Sequence, residues 1–155
     1  SSVGYSYVSF NTCYYMDYCD ISNLKMSSNI LSSLFYGIDS SVFFNPQSLD
    51  VSGVSSLSAI LAFTKFDNDL GAWYIGNVTT MANFAQGVTT WSQSNYEASW
   101  VGWLGWSGGV PNITLNNNVP MHGGSATVSI GSDGAAARSY AINTLGWIVT
   151  DGGEI

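Results

Sequence analysis

Charge is what this sequence has least of. Asp, Glu, Lys and Arg make up 8 % of its 155 residues, against the ~25 % usual in soluble domains. Only Lys25, Lys65 and Arg138 are basic, and the net charge is −7. Nucleic-acid affinity rests on several Lys or Arg contacts to phosphate. Three scattered cations exclude that class of partner, and they disfavour anionic membrane surfaces as well. There is no apolar run of the ~18 residues that a spanning helix needs, so no membrane insertion is expected. Cysteine is nearly as scarce, with only Cys13 and Cys19. A disulfide can close the short loop between them, and it would suit an extracellular setting; two free thiols are the alternative. Together with the single His122, they fall short of the four ligands of a structural zinc. The chain opens on Ser1-Ser2 with neither a charged nor an apolar leader segment. Two histories fit: a secretory signal already cleaved, or delivery by assembly, as in a virion.

What the chain has instead is apolar bulk, 46 % of residues, of which aromatics supply 14 % of the chain. That is enough for an ordered core in one domain spanning 1–155. Its polarity comes from Ser, Thr, Asn and Gly. Neutral surfaces of this kind suit exposed or assembled proteins at a cell surface, outside the cell or in a virion.

The most informative pattern is a repeat. Leu49-Asp50-Val51-Ser52-Gly53-Val54-Ser55-Ser56-Leu57 aligns with Trp73-Tyr74-Ile75-Gly76-Asn77-Val78-Thr79-Thr80-Met81 at an offset of 24 residues (75 − 51, 78 − 54, 81 − 57). Each copy keeps three apolar residues at a spacing of three. Periods in this range mark stacked units that cannot bury their apolar edge alone. Asp20-Ile21-Ser22-Asn23-Leu24 echoes the motif at an offset of 30. The expectation is three coils over 20–90, each a short strand centred on the triplet, then a helical turn and a loop.

Residues 1–19 read as strand, with aromatics at Tyr14, Tyr15 and Tyr18. They suit a cap over the first coil, or a strand offered to a neighbouring subunit. Beyond Trp91 the pattern breaks into Trp100-Val101-Gly102-Trp103-Leu104-Gly105-Trp106. A helix is expected from Ser132 or Asp133 through the Ala135-Ala136-Ala137 run to a stop at Gly146, then a strand at Trp147-Ile148-Val149-Thr150. The fold class expected is therefore α+β and strand-rich: a short leucine-rich-repeat-like solenoid of about three coils, with an aromatic N-terminal cap and a C-terminal helix–strand cap over 91–155.

These segments resemble the BspA-like surface-protein repeat, in which Phe-Asn-x-Asp-Leu-x-x-Trp-Asp-Val-Ser-Asn-Val-Thr-x-Met recurs. The matching stretch is Phe66-Asp67-Asn68-Asp69-Leu70-Gly71-Ala72-Trp73-Tyr74-Ile75-Gly76-Asn77-Val78-Thr79-Thr80-Met81-Ala82-Asn83-Phe84. His122-Gly123-Gly124, Ala135-Ala136-Ala137-Arg138 and Gly146-Trp147-Ile148-Val149-Thr150-Asp151-Gly152-Gly153 resemble the end of such arrays. The likeness spans residues 20–90 and 119–153. It implies a leucine-rich-repeat fold and a role in surface display and adhesion, with host proteins or glycans as partners, and related repeats look at home in phage and other viral appendage proteins. This chain departs from the family in its small number of repeats and its aromatic N-terminus. Short arrays leave a large share of open end, so caps or packing against copies of itself must stabilise it.

Few residues suggest chemistry. No Gly-x-Ser-x-Gly elbow, phosphate loop or His-Glu-x-x-His helix occurs. His122, between Pro120-Met121 and Gly123-Gly124, reads as a turn histidine. Asp67 and Asp69 flank Asn68, and such oxygens either share a calcium ion or cap turns. A glycosidase pair drawn from Asp67, Asp69 and Glu97 would need a common cleft. Trp100, Trp103 and Trp106, with Tyr14 and Tyr15, are the candidate contact residues: they plug the solenoid end, stack on a glycan or meet a subunit. Asn77-Val78-Thr79 and Asn112-Ile113-Thr114 are acceptor sequons in a eukaryotic secretory pathway only. The function expected is non-enzymatic: a structural or adhesive module working by self-assembly and protein or glycan contact. A carbohydrate-binding module using exposed tryptophans, with or without calcium, is the alternative.

Overall fold

The computed structural model describes residues 18–19, 32–38, 43–44 and 46–155. Tyr14, Tyr15, Cys13, most of the expected N-terminal cap and the first copy of the repeat lie outside them. Two short strands, β1 (Tyr18–Cys19) and β2 (Phe43–Phe44), pair in parallel. A 3-10 turn follows at Pro46–Ser48. Then come helix α1 (Gln93–Leu104), strand β3 (Pro120–His122), helix α2 (Asp133–Asn143) and strand β4 (Ile148–Thr150). β3 and β4 pair in parallel, with Met121 opposite Val149.

The expected strand-rich solenoid of three coils is corrected here. The described residues hold two helices and two short parallel strand pairs, and neither copy of the repeat is a strand. The reason lies in the triplet itself. A strand alternates faces every two residues, whereas apolar residues at a spacing of three fit successive turns. Val54 N donates to Val51 O at 2.9 Å, and Val78 N to Ile75 O at 3.0 Å. Left-handed residues fold the following segments too: Ala59, Phe63 and Asn83 have φ of 54°, 59° and 58°. Nor is the spacing uniform. Ser56 bridges Thr80, 24 residues on, but Met81 bridges Met121, 40 residues on.

The two copies do lie side by side. Leu57, Ala59, Leu61 and Phe63 donate their amides to Thr80, Ala82, Phe84 and Gln86 at 2.8–3.0 Å. Residues 33–37 bond in the same way to 58–62, and Met81 and Ala85 bond to Pro120 and His122. The parallel layers thus run 33–38, 57–63, 81–88, β3, β4. Val51, Val54, Leu57, Ile75, Val78 and Met81 are all buried along them. One apolar cluster extends from Leu34 to Trp147.

Helix α1 was not foreseen. Ser92 stands at its N-cap, and Gly105 ends it in the left-handed region. Tyr96, Trp100, Trp103 and Leu104 form its buried face, at the three–four spacing of a helix. α2 forms where expected: the Ser132 hydroxyl accepts from Ala135 N at 3.0 Å, and Ala135, Ala137 and Ala141 are buried. The helices meet closely, since a Cβ on Gly134 would stand 2.5 Å from that of Glu97.

Candidate functional site

The tryptophans proposed for contact are mostly interior. Trp100 and Trp103 are 0 % exposed, so neither has a face to offer a glycan or a subunit. Trp103 donates its indole N–H to Leu70 O at 2.9 Å. Trp91 does the same to Asn68 O, Trp73 to Pro46 O and Trp147 to Asn116 O, at 2.8–3.0 Å. These rings carry bulk into the core while their one polar atom satisfies a loop carbonyl. Trp106 is half-buried, 5.8 Å from the ring of Tyr140.

The acidic candidates Asp67, Asp69 and Glu97 each hold backbone amides within the chain. Asp67 Oδ1 accepts from Ser92 N at 2.8 Å, Ser92 Oγ at 2.6 Å and Asn95 Nδ2 at 2.9 Å, so it anchors the start of α1 from a distant loop. Partial burial pushes its carboxyl up, but these donors outweigh it and leave the group below the ordinary carboxylate value. Asp69 Oδ1 accepts from Gly71 N at 2.7 Å. Glu97 Oε1 accepts from Ser129 N. The three carboxylates considered for sugar hydrolysis thus hold three separate amides. Among the described residues no group of three His, Cys, Asp or Glu could hold a metal. His122 accepts at Nδ1 from Gly124 N at 3.1 Å, a turn contact. Asn77 donates to Ser52 O at 2.8 Å, tying one copy of the repeat to the other. Of Cys19 only the backbone, in β1, is described.

One cluster escaped the sequence. Asp151, its side chain 1 % exposed, takes both forks of Arg138: Nε to Oδ2 and Nη2 to Oδ1, each at 2.8 Å. Tyr96 Oη donates to Oδ2 at 2.5 Å, and Gly153 N to Oδ1 at 2.9 Å. Burial pushes the Asp151 carboxyl up, but Arg138, Tyr96 and Gly153 together hold it below the ordinary value. Burial, then the Asp151 charge, push the Tyr96 phenol well above its usual range. The bond to Asp151 raises Arg138 despite partial burial. A phenol that keeps its proton and a carboxylate held by a bidentate guanidinium are poor general bases. The cluster instead ties α1, α2 and the 151–155 segment into one unit. In the sequence these residues lie 13 and 55 positions apart. The usable signal was the lone Arg138 in a chain so short of charge, which demands a partner.

Several large apolar side chains also stand on the outside. Ile130 is 74 % exposed, Ile148 and Ile155 are 68 %, and Phe63 is 50 %. Phe63 sits 5.3 Å from the Tyr36 ring and covers Gly87, where a Cβ would meet its ring. Tyr74 and Val110 are also exposed. No family model, curated protein or solved structure matches the chain, so the BspA-like resemblance stands on the quoted residues alone.

Proposed function

We propose that this chain is a non-enzymatic structural and adhesive module of an exposed surface, a cell envelope or a virion, acting by self-assembly and by protein or glycan contact. One observation carries the reading. Asp67, Glu97, His122 and Asp151 each hold a hydrogen-bond partner within the chain, while several large apolar side chains stand exposed. Ile130 and Ile155 are neighbours, with Ile130 N donating to Ile155 O at 3.0 Å, and contiguous exposed apolar surface marks contact sites. The test is light scattering with size-exclusion chromatography over a range of concentrations. Association with rising concentration is expected; a monomer throughout would sink the self-assembly part.

Glycan contact has its own motivation. Tyr36 and Phe63 form an exposed aromatic pair, and ring faces of this kind stack on sugars. In this reading they take the place of the buried Trp100 and Trp103. Glycan-array signal that vanishes in Phe63→Ser, with an unchanged melting temperature, would support it. Signal that survives that change would dispose of it.

A further inference from the structure

We propose that Tyr36 and Phe63 are a preformed platform for one neutral sugar ring, with the Gln86 amide bonding its hydroxyls. Phe63 keeps a strained backbone for that contact. The inference rests on the glycan reading above and names the class of sugar and the residues that hold it.

The backbone of Phe63 is the anomaly. The layers set Gly37, Phe63 and Gly87 in one column: Gly37 N donates to Ala62 O at 3.0 Å, and Phe63 N to Gln86 O at 2.8 Å. All three are left-handed, with φ of 71°, 59° and 74°. Glycine takes that conformation freely, whereas a bulky side chain rarely does. Among the described residues the other non-glycine cases are Ser33, Ala59, Asn83 and Asn118, none of them bulky. Burial does not account for Phe63, which is 50 % exposed. Local strain of this kind clusters at binding and active sites. Gly87 fixes where the ring lies, since a Cβ there would stand 2.5 Å from Phe63 Cδ1. Phe63 therefore rests on bare backbone, its ring tilted 59° to that of Tyr36, which is also exposed.

The surroundings select the ligand. In the turns 32–38, 57–63 and 81–88, Tyr36 and Phe63 are the only large apolar side chains exposed. Their accessible neighbours there are Ser32, Ser33, Ser58, Asn83 and Gln86. Two rings are too little apolar surface for a protein interface, which buries ~800 Å² per partner around an apolar core. A sugar ring has the matching chemistry, with a C–H face to lie on an aromatic ring and hydroxyls at its edge. The Gln86 side-chain amide has no partner among the described residues, and it can both donate and accept. Its own C=O takes the Phe63 N–H, which holds the two residues side by side. The sugar is uncharged. Lys65 and Arg138 are the only cations among the described residues, and Arg138 is bound in the Asp151 cluster. The net charge of −7 repels acidic glycans.

The experiment is an array of neutral and acidic glycans, read with the whole chain at low and high salt, beside a thermal melt of each variant. The wild type should bind neutral glycans, with little change at high salt. Phe63→Gly should weaken that signal about tenfold or more, and Tyr36→Ser should act the same way. Phe63→Gly should melt within about 3 °C of the wild type or above it, because relief of the backbone offsets the lost ring contact. Gln86→Ala should weaken binding about threefold or more with the fold intact. Ile130→Ser, an exposed control outside these turns, should change neither readout. Three results overturn the inference: a signal from acidic glycans that fades with salt, a signal untouched by Gln86→Ala, or a Phe63→Gly chain that melts far below the wild type. In each of these the glycan reading stands as long as Phe63→Ser abolishes the signal. A wild type that binds no glycan overturns both.

Discussion

The layered region, the described residues 33–38 and 46–90, and the helical region, residues 91–155, solve the same problem in different ways. In the first, backbone bonds backbone across neighbouring layers: Leu57 to Thr80, Ala59 to Ala82, Leu61 to Phe84. Its polar side chains follow the same layer offset, as Thr79 does on Ser55 O and Asn77 on Ser52 O, 24 and 25 residues back. In the second, side chains reach over long sequence distances. Trp103 holds Leu70 O, and Asp151 holds Tyr96 and Arg138. A layer is replaceable because each resembles its neighbour. A long-range side-chain bond has no substitute. The helical region should therefore be the more sensitive to single changes.

The largest effect should come from Trp103→Ala. It empties a ring that is 0 % exposed and leaves Leu70 O without its donor. Aromatic-to-alanine changes in cores cost about 3–5 kcal/mol, and the orphaned carbonyl puts this one at the upper end. Leu57→Ala in the layered region should cost about 3 kcal/mol. Urea unfolding of both variants sets the contrast. Equal losses, or a larger one at Leu57, would break it.

Next is Asp151. Removing one partner of a buried pair strands the other, at a cost of about 3 kcal/mol. Asp151→Asn should approach that figure at neutral pH. The sign with pH follows from the depressed carboxyl: its stabilisation is present above the unfolded value near ~4 and is lost as pH falls through the folded one. Tyr96 works in the opposite direction. Its raised phenol favours the fold below about pH 10, and that contribution is lost at higher pH. Melting temperature against pH should fall at both ends in the wild type. The acid limb should flatten in Asp151→Asn and the alkaline limb in Tyr96→Phe. A wild type and Asp151→Asn with the same acid slope would remove this cluster from the account.

A third change sits where the two regions meet. Gly102 in α1 packs on Gly71, and a Cβ there would strike Gly71 Cα and its carbonyl. Helix propensity alone favours Ala over Gly by about 1 kcal/mol. Contact with fixed backbone reverses the sign, and overpacking costs about 1–3 kcal/mol. Gly102→Ala should therefore destabilise by about 2 kcal/mol in a thermal melt. Stabilisation would mean that the helix and the 67–71 loop are not locked together.

These same places show what the sequence revealed and what it hid. The pairing of Leu57 with Met81's layer was legible, because a 24-residue offset repeats the side-chain types on both partners. α2 was legible from Ser132, its alanines and Gly146. The turns were misread as strand because burial of Val51, Val54 and Leu57 was clear, whereas the backbone path between them was not. α1 was hidden by Gly102 and Gly105, which made the tryptophans look like a loop motif; Tyr96, Trp100, Trp103 and Leu104 at helical spacing were the overlooked cue. Their burial then followed from α1 packing, which no local pattern encodes. The Asp151 cluster was hidden for the same reason, since its members come from α1, α2 and the segment after β4.

The smallest effect should be a gain. Ala59 lies in the left-handed region at φ 54°, where an L side chain costs about 1–2 kcal/mol. Its amide bonds to Ala82 O at 2.9 Å, so the layer contact holds the backbone there against its preference. Ala59→Gly removes the strain but adds freedom to the unfolded chain, which takes back about 0.4–1 kcal/mol. The net stabilisation should be about 0.5 kcal/mol, visible as a small rise in melting temperature. Ala98→Gly in α1 makes the same chemical change in a helix interior and should destabilise by about 1 kcal/mol. Opposite signs for one substitution would show that the layered region is held together by turns under strain and the helical region by relaxed backbone. The same sign at both sites would erase that distinction.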